Sequence, residues 1–135
     1  KDEESVILYF HTKGMTSQSK HPGNELIRKK LFQYTIENSD LYVQKFNEVS
    51  DLDIGGVFIS EFKFVWYNFF WIRSTYVKNH LPKPEFTKHR YYWERWIGNE
   101  YSLKPEIKTF SPILGFDNLK NRAQLNQQRS KLFKL

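Results

Sequence analysis

Four short apolar runs are all this chain offers as sheet, and they limit it to small strands set among helices. Ser5–Phe10 (SVILYF), Ile54–Ser60 (IGGVFIS), Asn68–Arg73 (NFFWIR) and Ile107–Phe110 (IKTF) are rich in β-branched and aromatic residues and flanked by charged or turn-forming ones. The segments between them carry helical spacing. Ile27, Leu31, Tyr34 and Asn38 share one face, flanked by Arg28, Lys29 and Lys30, until Asn38-Ser39-Asp40 breaks the pattern. A shorter helix follows with Tyr42, Phe46 and Val49 on one side. Ser74 is placed to cap a helix that ends at His80 before Leu81-Pro82, and Thr87–Gly98 reads as a helical turn closed by glycine. Asp117 is placed to cap a last helix, and Gly55-Gly56 predicts a bulge or a close backbone approach. The order predicts an α/β fold: a short mixed sheet flanked by helices.

A length of 135 residues suits one domain with a single core. Aromatics at 18% give that core bulk and leave rings over for a binding surface. The absence of cysteine excludes disulfides and thiolate metal sites and fits a reducing, cytoplasmic setting. No apolar stretch approaches the roughly 18 residues of a membrane span. The chain opens on Lys1 without a signal peptide, so it is expected to be processed or a piece of something longer. A formal charge of +6 favours anionic partners such as nucleotide phosphates, nucleic acid or headgroups. Much of it is local: Lys120, Arg122, Arg129, Lys131 and Lys134 face only Asp117 in the tail, where a solvated helix surface is the plain reading.

Four constellations carry chemistry. His11-Thr12-Lys13-Gly14 follows the first strand, where open α/β sheets bind ligands, and its side chains suit a phosphate; otherwise it is a polar turn. Asp51 and Asp53 have the oxygen chemistry to hold Mg²⁺ or Mn²⁺ on a diphosphate, or else cap the entry to a strand. In Trp66–Arg73, alternation sends Phe69 and Trp71 to one face and Asn68, Phe70 and Ile72 to the other. Rings cover the apolar faces of a sugar, and Asn68 and Arg73 donate to hydroxyls or phosphates; the alternative is a central core strand. In Arg90–Gly98, Glu94 stands among Tyr92, Trp93 and Trp96 as a candidate general base, with Arg90 and Arg95 beside it; the alternative is a surface Arg–Glu pair. The four histidines lack zinc spacing, and no P-loop, dinucleotide fingerprint or nucleophile elbow occurs. Basic residues interleaved with rings suit single-stranded nucleic acid, but they are scattered among acids and carry no RRM signature, so no nucleic-acid partner is expected.

Three blocks in order, LYFHTKG at Leu8–Gly14, YNFFWIRSTYVKNHLP at Tyr67–Pro82 and RYYWERWIG at Arg90–Gly98, resemble GT-A-like glycosyltransferases of polysaccharide-synthesis clusters and large viruses. The family usually has glycine where this chain has Tyr67, before Asn68. The resemblance covers roughly the first hundred residues. It implies a partial GT-A-like domain over 1–115, the acceptor-side half of a larger enzyme, followed by a basic helix or tail over 116–135. It further implies transfer of a sugar from a nucleotide-sugar donor, aided by a divalent metal, to a carbohydrate or glycoconjugate acceptor. Carried over, Glu94 is the base, Asn68, Trp71, Arg73, Arg90, Tyr91 and Trp96 contact substrate, His11 and Lys13 face the donor phosphates, and Asp51 and Asp53 remain metal candidates. The GT-A family places its nucleotide-binding strands before this region, so an N-terminal half is expected to be missing. A carbohydrate-binding remnant without catalysis is the alternative expectation, ahead of a nucleic-acid module.

Overall fold

The computed structural model describes residues 5–10, 22–87 and 92–135. Within them lie strands β1 (Val6–Tyr9), β2 (Ile54–Gly56), β3 (Phe70–Arg73) and β4 (Thr109–Phe110), with helices α1 (Pro22–Leu31), α2 (Ser39–Glu48), α3 (Ser74–His80), α4 (Tyr92–Arg95) and α5 (Arg122–Leu132). The sheet order is β1-β3-β2-β4. The first three strands are antiparallel neighbours, and β4 runs parallel to β2. The expected mixed α/β sheet flanked by helices is therefore present.

β3 is the strand on which both layers rest, because its alternating residues serve opposite faces. Trp71 and Arg73 point to one side, where α2 lies. Trp71 stacks on Tyr42 at 5.9 Å, and its indole N–H donates to the Thr35 carbonyl at 2.9 Å. That carbonyl belongs to a wide π-type turn, Phe32–Ile36, which lies between α1 and α2, so the one helical face expected from Ile27 to Asn38 is interrupted before Asn38. Gly55 pairs with Trp71 in register, and a Cβ there would meet the Tyr42 ring at 2.9 Å. The expected close approach is thus a helix ring lying on bare backbone. Burial pushes the pKa of the Tyr42 hydroxyl well up.

On the opposite face, Phe70, Ile72 and Ile54 join Tyr76, Leu81, Ile97 and Ile107 in a second part of the core. Tyr76 fastens α3 to the chain after α4: its hydroxyl donates to the Ile97 carbonyl at 2.5 Å, and burial raises its pKa to about 12. A third apolar group joins α1 to α5 through Ile27, Leu31, Val57, Phe58, Phe116, Leu125 and Leu132. The basic C-terminal helix is therefore built into the core along Leu125 and Leu132, while most of its polar residues face solvent.

Several local expectations are corrected. The run Ile54–Ser60 is a strand only to Gly56; beyond it Ile59 bridges Val65, and Ser60 bridges Leu119. Ser74 does not cap α3: its Oγ accepts the Ser5 N–H at 2.9 Å, tying the helix start to the chain before β1. Asp117 does not cap α5 either; Asn121 does, its side chain accepting the Gln124 N–H at 3.0 Å. α1 begins at Pro22 rather than Glu25, in keeping with proline's preference for the first helical turn.

Arg73, expected at the substrate, is a helix cap. It is 5% exposed, and its guanidinium donates to the carbonyls of Leu52 (2.7 Å), Phe46 (2.8 Å) and Val49 (3.0 Å), closing the C-terminal end of α2. Replacing Arg73 by leucine is expected to cost roughly 2–4 kcal/mol in urea denaturation, since carbonyls in a largely buried setting lose a charged donor. Arg73→Lys should recover only part of that loss, because one ammonium cannot reproduce the planar fork.

Candidate functional site

The residues of β3 that face away from α2 form the floor of a hollow of about 300 Å³. Ile7 and Tyr9 of β1 pair with Ile72 and Phe70 of β3, so four side chains stand in two adjacent rows. Tyr9 and Phe70 stack at 5.2 Å with 28° between their planes. Val77, Trp93, Trp96 and Ile97 line the hollow together with these four, and Asn68 supplies an amide. Trp93 is 52% exposed, and Tyr9 is also open to solvent, so broad ring surface is accessible.

Asn68 reaches this position through an unusual backbone. Tyr67 has φ +72° and Asn68 φ +57°, both in the left-handed region. The φ of Tyr67 is one that glycine adopts freely. Tyr67 tolerates it with compensation: its ring packs edge-on against Phe58 at 5.7 Å, and its hydroxyl accepts from Arg129 at 3.3 Å. Among the described residues the Asn68 carboxamide has no hydrogen-bond partner, which leaves its donors and acceptor for a ligand or solvent. The Trp96 indole N–H is likewise buried with no acceptor among the described residues.

Glu94 lies on α4 between Trp93 and Arg95. Burial raises its carboxyl pKa above the ordinary value, opposed by the positive charges of Arg95 and Arg122. No hydrogen bond or ion pair holds its carboxylate among the described residues. It is next to the hollow in sequence, yet it is not among the described side chains that line it. Arg122 lies over the Trp66 ring at 5.3 Å, bringing α5 to the same region.

The expected site residues thus divide. Asn68 and Trp96 come together in one hollow. Trp71 and Arg73 are engaged on the other face of the sheet, where alternation had already separated Trp71 from Asn68. Asp53 is 4% exposed, and its carboxylate accepts from Lys104 Nζ at 2.5 Å and from the Lys108 N–H at 2.9 Å, anchoring the approach to β4. Asp51 pairs with Lys108 Nζ at 3.2 Å, a contact that lowers its pKa. Among the described residues no group of three or more His, Asp and Glu side chains comes together to hold a metal. His11, Lys13, Arg90 and Tyr91 lie outside the described residues. Trp93, named with the rings around Glu94, lines the hollow, whereas Ile7, Tyr9 and Val77 were not expected there; period-2 alternation in β1 marks the first two, but only once the pairing of β1 with β3 is known.

Comparison with family models, with curated proteins and with solved structures finds no match to this chain.

The raised pKa of Glu94 has a consequence for stability. In the folded state the proton is held more tightly than in the unfolded chain, so the group favours folding below its unfolded pKa. That contribution is lost as pH rises through the folded pKa. Glu94→Gln is therefore expected to melt higher than wild type at neutral pH, with the gap closing as pH falls into the acid range. Thermal melts across that range check this.

Proposed function

We propose that this chain is the acceptor-side part of a GT-A-like, nucleotide-sugar-dependent glycosyltransferase whose hollow over β1 and β3 receives the acceptor. The observation that carries the reading is convergence: Asn68 and Trp96 come from two of the three resembling blocks, far apart in sequence, and line one hollow. The chemistry suits a sugar. Stacked rings cover its C–H faces, and a carboxamide without a partner addresses its hydroxyls.

Glu94 then acts as base. In the reaction an acceptor hydroxyl oxygen attacks the anomeric carbon and its proton passes to the Glu94 carboxylate. The bond from that carbon to the nucleoside diphosphate breaks, with the electron pair leaving on the diphosphate. Partial burial suits the role: it makes the carboxylate a stronger base, while Arg95 and Arg122 favour the ionised form that accepts the proton. His11 and Lys13 face the donor phosphates in this reading. The resemblance also implies a divalent cation, but Asp51 and Asp53 are poor candidates to hold one because lysine ammonium groups already occupy both carboxylates. They take no part in the mechanism.

One observation favours a second reading, a carbohydrate-binding remnant without catalysis. Glu94 is not among the described side chains lining the hollow, and rings with an amide suffice for binding alone. A transfer assay over a panel of nucleotide sugars and glycan acceptors separates the two. Glu94→Gln is expected to lower transfer by about 10²–10⁴-fold with glycan binding retained. Near-wild-type transfer by Glu94→Gln would remove the base assignment. Glycan binding without transfer or nucleotide-sugar affinity in wild type would establish the second reading.

A further inference from the structure

The stretch that contributes Trp93, Trp96 and Ile97 to the hollow over the sheet also lines a separate one. Phe62, Phe64, Arg95, Asn99 and Glu100 enclose about 340 Å³, a size suited to a small ligand. This second hollow is assembled from two backbone segments pressed together. Gly98 approaches the turn at residues 62–64 so closely that a Cβ would lie 2.5 Å from the Phe62 carbonyl oxygen, and the Asn99 N–H donates to that oxygen at 2.8 Å. The turn itself is fixed. Ser60 N–H donates to the Phe64 carbonyl at 2.9 Å, Lys63 N–H to the Ser60 carbonyl at 2.9 Å, and Phe62 N–H to Ser60 Oγ at 3.0 Å. Lys63 takes a left-handed φ of +71° there. The result is a Phe62 ring held 53% exposed on a rigid turn.

The remaining lining is planar and polar. Arg95 lies over the Phe64 ring at 5.7 Å and pairs with Glu100 at 3.8 Å. The Asn99 carboxamide has no hydrogen-bond partner among the described residues. Opposite charges beside each other disfavour an anion such as phosphate, and three polar side chains disfavour a purely apolar guest. An open ring beside a guanidinium, a carboxylate and an amide matches the alternation of C–H faces and hydroxyls on a pyranose.

We infer that this hollow binds one sugar ring of a glycan, with Phe62 stacked on its C–H face and Asn99, Arg95 and Glu100 addressing its hydroxyls. That the glycan is the acceptor chain rests on the proposed function: different residues of the one stretch 93–100 line the two hollows, Trp93, Trp96 and Ile97 the first and Arg95, Asn99 and Glu100 the second.

The test is amide and side-chain NMR of the full chain with cellotetraose, chitotetraose and mannotetraose, each beside its monosaccharide. At least one tetrasaccharide is expected to shift the Asn99 side-chain amide and the Phe62 backbone amide. Phe62→Ala is expected to weaken binding by about tenfold without changing the melting temperature, and Asn99→Ala to weaken it as well. Shifts confined to the Trp93 and Trp96 indole signals would overturn the second hollow and leave the acceptor reading standing. Shifts at Phe62 and Asn99 without the indoles would support it and remove the acceptor hollow instead. No response of Asn99 to any tetrasaccharide overturns the inference.

Discussion

The guanidinium of Arg73 is the contact on which the other parts of the structure depend. It sits at the end of β3 and donates to carbonyls at the close of α2 and at Leu52, just before β2. A strand, a helix terminus and the entry to the next strand are thereby held by one side chain. The neighbouring Trp71 extends the same bond network to Thr35, and Tyr42 lies flat over Gly55. With that face locked, the opposite face of β3 can stay partly uncovered at its β1 edge, where Tyr9 and Phe70 stack. The two sides of one four-residue strand thus serve different neighbours: α2 on one, and on the other a core group that leaves a hollow at its edge.

Much of the architecture was legible because it follows from periodicity. The strand in SVILYF, the helix around Ile27 and Leu31, the break at Asn38 and the helix ended by Leu81-Pro82 all appear near their expected places. Capping was misread at Ser74 and Asp117 for one physical reason. A small polar side chain near a helix start can bond whichever N–H comes close, and tertiary placement decides which: Ser5 for Ser74, while Asn121 lay nearer the start of α5 than Asp117. The strand at Ile54 ended early because its β-branched residues beyond Gly56 serve a bridge to Val65 instead of a ladder.

The site was legible by halves. Alternation placed Asn68 with Phe70 and Ile72, and these do line one hollow, although Asn68 reaches it from a left-handed turn before β3 and not from the extended strand that alternation assumed. It also placed Trp71 on the other face, although the family resemblance drew Trp71 and Arg73 toward substrate. A tryptophan and an arginine look the same in sequence whether they meet a ligand or a backbone carbonyl; here both have carbonyl partners. Asp51 and Asp53 show the same ambiguity for carboxylates, since the lysines that engage them lie more than fifty positions away. Strand pairing, the step that brings Ile7 and Tyr9 to Phe70, has no local signature.

Tyr67 gives the C-terminal helix a meaning beyond its charge. A residue forced into a glycine-like backbone is held there by Phe58 and by a hydroxyl bond from Arg129. The rim of the hollow is consequently tethered to the last turns of the chain, with Arg122 lying on Trp66 one residue earlier. Because Leu125 and Leu132 seat that helix in the core, a displacement of the rim is resisted by the same packing that holds the end of the chain.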